Sequence, residues 1–240
     1  MTKIVKSHFV KFISRTFLFI AALVLYIISK VKNTGNYFLG LENNLFVVGL
    51  IWAFFAYEVI IRFFPSKHSS PGCQKHLKCN FAPVDGYSGE KPKIVHPART
   101  FICAFLWILL NAVIFSLYFF GIIDKGVLIL VFLAYSVCDI ICILFFCPFK
   151  LYILGNKCCT TCRIYNWDYA MMFTPFLVLG GFFGTSLLSL SLVLLFQWEI
   201  AVRLHPERFS PSTNKNLSCK NCSEKLCAYY KSIGNTINNK

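Results

Sequence analysis

Long stretches almost free of charge are the feature that most constrains this chain. Charged residues make up 14% of its 240 residues, against roughly a quarter in ordinary soluble domains. They crowd between apolar stretches of a length that can cross about 30 Å of hydrocarbon as helices. Four such spans are predicted, at residues 17–31, 45–61, 101–123 and 127–146. The sequence therefore predicts an all-α, polytopic transmembrane helical bundle.

The first span is predicted to be a membrane anchor rather than a cleaved secretory signal. Lys3, Lys6 and Lys11 precede it, as basic residues precede a signal peptide, but no small-x-small cleavage site follows it. Lys30 and Lys32 close the span instead, so the segment is expected to remain in the protein.

A fifth uncharged stretch, residues 170–198, is too long for one comfortable span and carries Pro175, Gly180, Gly181 and Gly184. In one interpretation it is a single tilted, kinked helix with glycines four apart, which allow close helix packing. In the other, the Gly180–Gly184 region is the bend of a hairpin with two short legs, either spanning or re-entrant. These alternatives give five or six spans.

The distribution of Lys and Arg favours the hairpin. With the N-terminus inside, six spans leave only Lys30, Lys32 and Lys125 outside, whereas five spans divide the basic residues more evenly. We therefore expect a cell-membrane protein with both termini cytoplasmic. Its predicted parts are a transmembrane domain at 1–203, including an irregular basic cytosolic loop at 62–100 and a cysteine-rich loop at 147–168, and a cytosolic tail at 204–240.

The predicted partners follow from the same charges. The excess of Lys and Arg in the 62–100 loop favours contact with the anionic headgroups of the lipid bilayer. No nucleic-acid partner is expected, because these charges lack an ordered basic fold around them. A membrane or redox partner protein is expected because no cofactor-binding domain is evident, and neither a phosphate-binding glycine loop nor a hydrolase motif is present.

The chain has twelve cysteines, and two groups of them point to chemistry. Each group contains a C-x-x-C pair, a spacing that lets two thiolates turn toward one ion, and two pairs supply the four ligands of zinc or an iron–sulfur cluster. The hypothesis is a cytosolic metal site with either cofactor. Its predicted ligands are Cys159, Cys162, Cys219 and Cys222, with Cys158 and Cys227 as further candidates.

Two alternatives for the cysteines remain open: a reactive dithiol or disulfide pair, in which Cys73 and Cys79 could take part, and free cysteines without a role in a reducing cytosol. Basic neighbours such as Lys157, Arg163 and Lys220 are expected to favour thiolate over thiol.

Two short resemblances bear on this choice. The run from Cys142 to Lys150, with Cys147-Pro148, resembles the cysteine-proline element of membrane ferredoxin-type electron-transfer proteins, with one residue more between its cysteines. A helical bundle with a C-x-x-C pair and a second loop pair is also similar to quinone-linked disulfide-forming enzymes, where the thiols face the oxidising side. Both resemblances imply electron transfer.

Three polar residues inside the spans, Glu58, Asn111 and Asp139, are the basis of a rival hypothesis. Burying charge in a membrane is costly, so such residues are functional candidates, and here they could line the path of a small transporter or channel-like protein. Glu58 is expected to pair with Arg62 four residues later. Asn111 is expected to be a hydrogen-bonding contact between helices.

The segment between Arg163 and Pro175 mixes polar and aromatic groups. Tyr165, Trp167 and Tyr169 are expected to anchor it at the lipid headgroups. In the alternative interpretation, Arg163, Asn166 and Asp168 line a site beside the cysteines.

Overall fold

The computed structural model describes residues 2–33, 35–66, 69–92, 97–156, 158–222 and 224. Five helices in this part of the chain are long and apolar enough to cross a membrane. They are α1 (Lys3–Val31), α2 (Leu45–Ile60, continued by a 3₁₀ turn at Ile61–Phe63), α3 (Pro97–Phe119), α4 (Lys125–Leu144) and α5 (Phe182–Leu204). The predicted all-α membrane bundle is confirmed.

The fifth uncharged stretch is a hairpin with unequal legs. Two short helices, Asp168–Met172 and Phe176–Leu179, form the first leg, and α5 forms the second. The first leg would cover roughly 18 Å as continuous helix, less than the hydrocarbon thickness. The predicted bend is therefore correct, the single kinked helix is wrong, and five helices are long enough to span.

Glycines form the bend because the backbone there adopts positive φ angles, +63° at Gly180 and +78° at Gly181, which other residues rarely tolerate. Gly184 then lets the two legs touch. A Cβ atom at this position would lie 2.6 Å from the Phe176 ring. The glycine cluster thus produces both the reversal and the close packing of the hairpin.

The helices pack in two main pairs, with α1 alongside α4 and α2 alongside α5. The first leg of the hairpin lies among them, and its Tyr169 and Phe173 are fully buried next to Phe55 of α2 and Phe132 of α4. Helix α3 is more peripheral and packs chiefly against the segment Phe149–Ile153.

A buried guanidinium joins three of these helices. Arg15 of α1 is 1% exposed, and it forms ion pairs with Glu58 of α2 at 2.5 Å and with Asp139 of α4 at 2.7 Å. It also donates a hydrogen bond to the Ser136 carbonyl. Lys11 contacts the other oxygen of Glu58 at 3.2 Å. The two carboxylates proposed for a transport path therefore lie in a charge-balanced contact between helices.

The predicted pair between Glu58 and Arg62 is replaced by these contacts. Arg62 points instead to the start of the hairpin, where it forms an ion pair with Asp168 at 2.6 Å and donates a hydrogen bond to Asn166 at 3.0 Å. Sequence separation suggested a pair within one helix, but both side chains face neighbouring helices. The polar groups of the bundle thus join separate segments.

The connecting segments pack together at one end of the bundle. Residues 69–85, 158–166 and 205–222 form an assembly that we call the cap. Lys75, 1% exposed, donates hydrogen bonds to the Thr160 and Cys162 carbonyls, and Arg208 donates one to the His76 carbonyl. A single antiparallel bridge joins Pro83 to Asn214. Cap residues are thus held by specific hydrogen bonds.

The N-terminus lies at the cap end, since Thr2 donates a hydrogen bond to the Glu224 carbonyl. The opposite end holds Lys30, which pairs with Asp124 at 2.6 Å, together with the adjacent Lys32 and Lys125. This arrangement places the three basic residues predicted to lie outside at the end away from the cap.

Replacing Arg15 by Met should destabilise the bundle strongly. The change leaves Glu58 and Asp139 buried without their shared partner, at an expected cost of about 3–5 kcal/mol. Thermal unfolding of the detergent-solubilised protein, compared with the exposed-site control Arg203→Met, measures the effect.

A triple variant, Arg15→Met with Glu58→Gln and Asp139→Asn, should recover part of the lost stability because no uncompensated charge remains. An Arg15→Met protein that unfolds at the same temperature as Arg203→Met would contradict the assigned role of the guanidinium.

Candidate thiol site

Several side chains able to react surround a cavity of about 280 Å³ at the cap end of α3 and α4. The hairpin start and the cysteine-rich loop complete its walls. Five cysteines line it, two from α4, one just after that helix and two from the cysteine-rich loop: Cys138, Cys142, Cys147, Cys159 and Cys162. Apart from these thiols, most of the lining is aromatic or aliphatic. The cavity is therefore an apolar space bordered by sulfur.

Two of these thiols form a pair at the end of α4. Cys142 lies in the last turn of the helix, and the chain leaves the helix after Leu144, which brings Cys147 back toward it. The two thiols both line the cavity and interact with each other electrostatically. Both are free thiols.

The surroundings of Cys147 favour its thiolate. Interaction with the Cys142 side chain is the largest contribution, and it lowers the pKa of Cys147 to about 7 against the opposing effect of burial. The backbone N–H of Lys150 donates a hydrogen bond to the Cys147 sulfur at 3.4 Å, and the charge of the Lys150 side chain acts in the same direction. Cys147 is thus a thiol that ionises near neutral pH.

The predicted effect of basic neighbours on the cysteine-rich loop is wrong for two of its thiols. Burial raises the pKa of Cys159 to about 11 and that of Cys162 to about 12. The Lys150 ammonium donates a hydrogen bond to the Cys159 sulfur at 3.0 Å, which only partly offsets the burial. Arg163, expected to act on the same thiols, forms a bidentate pair with Glu199.

The predicted metal ligands share the cap end, but the structure does not gather them. Cys159 lies beside Lys150, and Cys162 is buried within the cap. Cys219 is exposed in the segment Cys219–Asn221, with Cys222 following it. Cys158 contacts the Thr160 hydroxyl at 2.9 Å, while Cys227 lies outside the described residues.

Across the described residues, no three His, Cys, Asp or Glu side chains converge as a metal site. Cys73 and Cys79 likewise diverge, since the first is buried and hydrogen-bonded to the Ser70 carbonyl and the second is exposed. The loops therefore meet in the cap without gathering their described cysteines into one group.

The aromatic segment after the cysteine-rich loop is structural core rather than a headgroup belt. Tyr165 and Tyr169 are 8% and 0% exposed, so the anchoring prediction is wrong for both. Trp167 donates a hydrogen bond to Glu199. Asn166 donates one to the Cys73 carbonyl, and its side-chain oxygen accepts one from Arg62. These groups connect the hairpin to the cap.

The resemblance to the ferredoxin-type element includes Cys142 and Cys147 but does not identify them as a thiol pair. Their signal was two cysteines flanking a helix end, with Pro148 after the second. Lys150 carried no signal at all, because its role depends on contact with Cys159 nine residues along the chain.

Alkylation by iodoacetamide should modify Cys147 half-maximally near pH 7, whereas Cys159 should resist until well above pH 9. The reason is that the thiolate is the nucleophile and the two thiols have pKa values of about 7 and about 11. Peptide mass spectrometry across a pH series measures both rates in one sample.

The variant Cys142→Ala removes the side chain that contributes most to lowering the Cys147 pKa, so the Cys147 profile should move toward the ordinary cysteine pKa of about 8.5. Identical pH profiles for Cys147 and Cys159 in the wild-type protein would refute the assignment.

Comparison with protein-family models, curated proteins and solved structures finds no match for this chain.

Proposed function

We propose that this multi-pass membrane protein is a thiol–disulfide redox protein in which Cys147 attacks and Cys142 resolves. The observation that carries the proposal is that both thiols line one cavity, where the interaction between them lowers the pKa of the attacking thiol. A dithiol with one low-pKa member is the arrangement that thiol–disulfide exchange uses.

The reaction partner in this proposal is a disulfide carried by a protein at the cap face. The Cys147 thiolate attacks one sulfur of that disulfide, whose S–S bond breaks, and the other sulfur leaves and takes a proton. Cys142 then loses its proton and attacks the Cys147 sulfur of the mixed disulfide. The partner leaves as a dithiol, and its two electrons have come from the Cys142 and Cys147 thiols, which end as a disulfide.

We also propose that the cap is cytosolic and that the protein lies in the cell membrane. The support is the positive-inside rule, because Lys3, Lys6 and the basic segments of the cap lie at one end of the bundle. The opposite end contributes Lys30, Lys32 and Lys125. Basic cap residues would then also contact anionic headgroups.

Equilibration of the purified protein with glutathione buffers of graded potential should show a two-electron transition between dithiol and disulfide. Gel-shift labelling of free thiols with a large maleimide measures the transition, and mass spectrometry of the oxidised sample should identify the Cys142–Cys147 link. Either Cys142→Ser or Cys147→Ser should abolish it.

Cys79→Ser serves as the matched control, since Cys79 is exposed in the cap and lies outside the cavity lining. Its transition should match that of the wild type. Failure of the wild type to form the Cys142–Cys147 disulfide even with excess diamide would rule the function out.

A metal site in the cap is a second candidate, and it is compatible with the first because it uses different cysteines. The observation favouring it is that both C-x-x-C pairs lie at the same end of the bundle, where a shared zinc ion or iron–sulfur cluster could draw them together. Cys159, Cys162, Cys219 and Cys222 would be its ligands. Closing such a site would require Cys159 to leave Lys150.

Anaerobic purification followed by metal analysis tests this candidate. Stoichiometric zinc or iron is expected in the wild type and should be lost in the Cys219→Ser/Cys222→Ser variant, while Cys138→Ser, a change on α4, should retain it. A wild-type protein free of both metals would eliminate the candidate.

A further inference from the structure

The cavity beside the thiol pair has walls suited to hydrocarbon. Leu110 of α3, Ile143 of α4, and Met171 and Met172 of the hairpin supply flexible or aliphatic surface. Its volume of about 280 Å³ suits a single unbranched hydrocarbon chain. Water gains few hydrogen bonds in such a space, so an apolar chain is the better occupant.

Aromatic side chains close the cavity toward the membrane interior. Trp107 of α3 donates a hydrogen bond to the Thr174 hydroxyl at 3.1 Å, and its ring lies 4.6 Å from that of Tyr135 on α4. The Tyr135 hydroxyl in turn donates a hydrogen bond to Asn111 at 3.4 Å. Asn111, predicted to join helices, therefore connects α3 to the Tyr135 side chain that lines this cavity.

The cap end of the cavity carries one cation. Lys150 lines the cavity, and within the described part of the chain no carboxylate forms an ion pair with it. Its partner is the Cys159 thiol. The carboxylates that reach the lining, Asp139 and Asp168, are paired with Arg15 and Arg62, while buried Glu224 interacts electrostatically with both Lys75 and Lys150 without an ion pair to either among the described residues. An anionic group beside Lys150 would thus meet a positive charge.

The position of α3 provides a route from the bilayer. This helix packs chiefly against Phe149–Ile153, and its outward side chains are exposed, with Phe101 at 72% and Ile108 at 66%. In a membrane those side chains face lipid tails. The cavity lies directly behind this loosely packed helix, so a molecule dissolved in the bilayer has a short path into it.

We propose that this cavity binds a fatty acid, a single hydrocarbon chain with a terminal carboxylate. The chain lies between α3 and the hairpin, with its far end against Trp107, and the carboxylate pairs with Lys150. A two-chain phospholipid exceeds a space of this volume. Both sulfurs of the Cys142–Cys147 pair line the same cavity, but the proposed ligand is held by Lys150 and the apolar walls rather than by the thiols.

Bromoundecanoate, a single-chain carboxylate with a bromine atom at its tail, tests the proposal by quenching tryptophan fluorescence. With the full-length protein in zwitterionic nanodiscs, titration should give a saturable quenching component. That component should vanish in Trp107→Phe, which leaves Trp52, Trp167 and Trp198 to report non-specific partitioning.

Variants of Lys150 separate the contribution of the ligand's carboxylate from that of its hydrocarbon chain. Lys150→Gln should weaken bromoundecanoate binding about fivefold, the scale of one partly exposed ion pair. Lys150→Arg should preserve it, and Lys78→Gln, an exposed cap residue, serves as the control. The uncharged analogue bromoundecanol should bind wild type and Lys150→Gln equally.

Three results would overturn the proposal. One is quenching that rises without saturation and equally in wild type and Trp107→Phe. A second is an equal affinity of wild type and Lys150→Gln for the carboxylate. The third is displacement of bromoundecanoate by phosphatidylglycerol added to the nanodisc, which would identify a bilayer phospholipid as the occupant.

Discussion

The fold depends most on one buried guanidinium. Arg15 lies within the bundle, where an unpaired charge would be prohibitively costly, and it satisfies Glu58 and Asp139 on two other helices at once. Apolar helices in a bilayer gain little from burying more apolar surface against each other, so packing and polar contacts determine which faces meet. The ion pairs determine which faces of α1, α2 and α4 meet. They also leave both carboxylates paired with a cation.

A second constraint comes from the broken hairpin. Because the chain turns back at Gly180 and Gly181, the end of α5 returns to the cysteine-rich loop, where Arg163 pairs with Glu199 and the Trp198 indole donates to the Arg163 carbonyl. The tail after α5 can then pack with the other connecting segments in the cap. The start of the first leg also supplies one wall of the cavity, through Asp168, Met171 and Met172.

The ionisation of each thiol depends on where the packing of helices and cap places its cysteine. Cys159 and Cys162 are enclosed by the cap, and burial keeps them protonated despite their basic neighbours. Cys147 lies just beyond a helix end, where the Lys150 backbone N–H donates to its sulfur and the Cys142 thiol interacts with it. The same lysine that influences Cys147 is also the proposed partner of a ligand carboxylate, so fatty acid binding and thiol reactivity would share one charge.

Much of the architecture was determined by the sequence alone. Runs of apolar residues long enough for the bilayer predict the helices, and Gly180–Gly184 predicts the bend, because span length and positive φ angles are local requirements. The choice of partners was decided only by tertiary structure. Glu58 pairs with Arg15, 43 residues away, rather than with Arg62, and the C-x-x-C pairs share an end without converging among the described residues. Spacing along the chain reports which side chains share a helix face, whereas contact, burial and therefore thiol ionisation depend on how separate helices and loops pack.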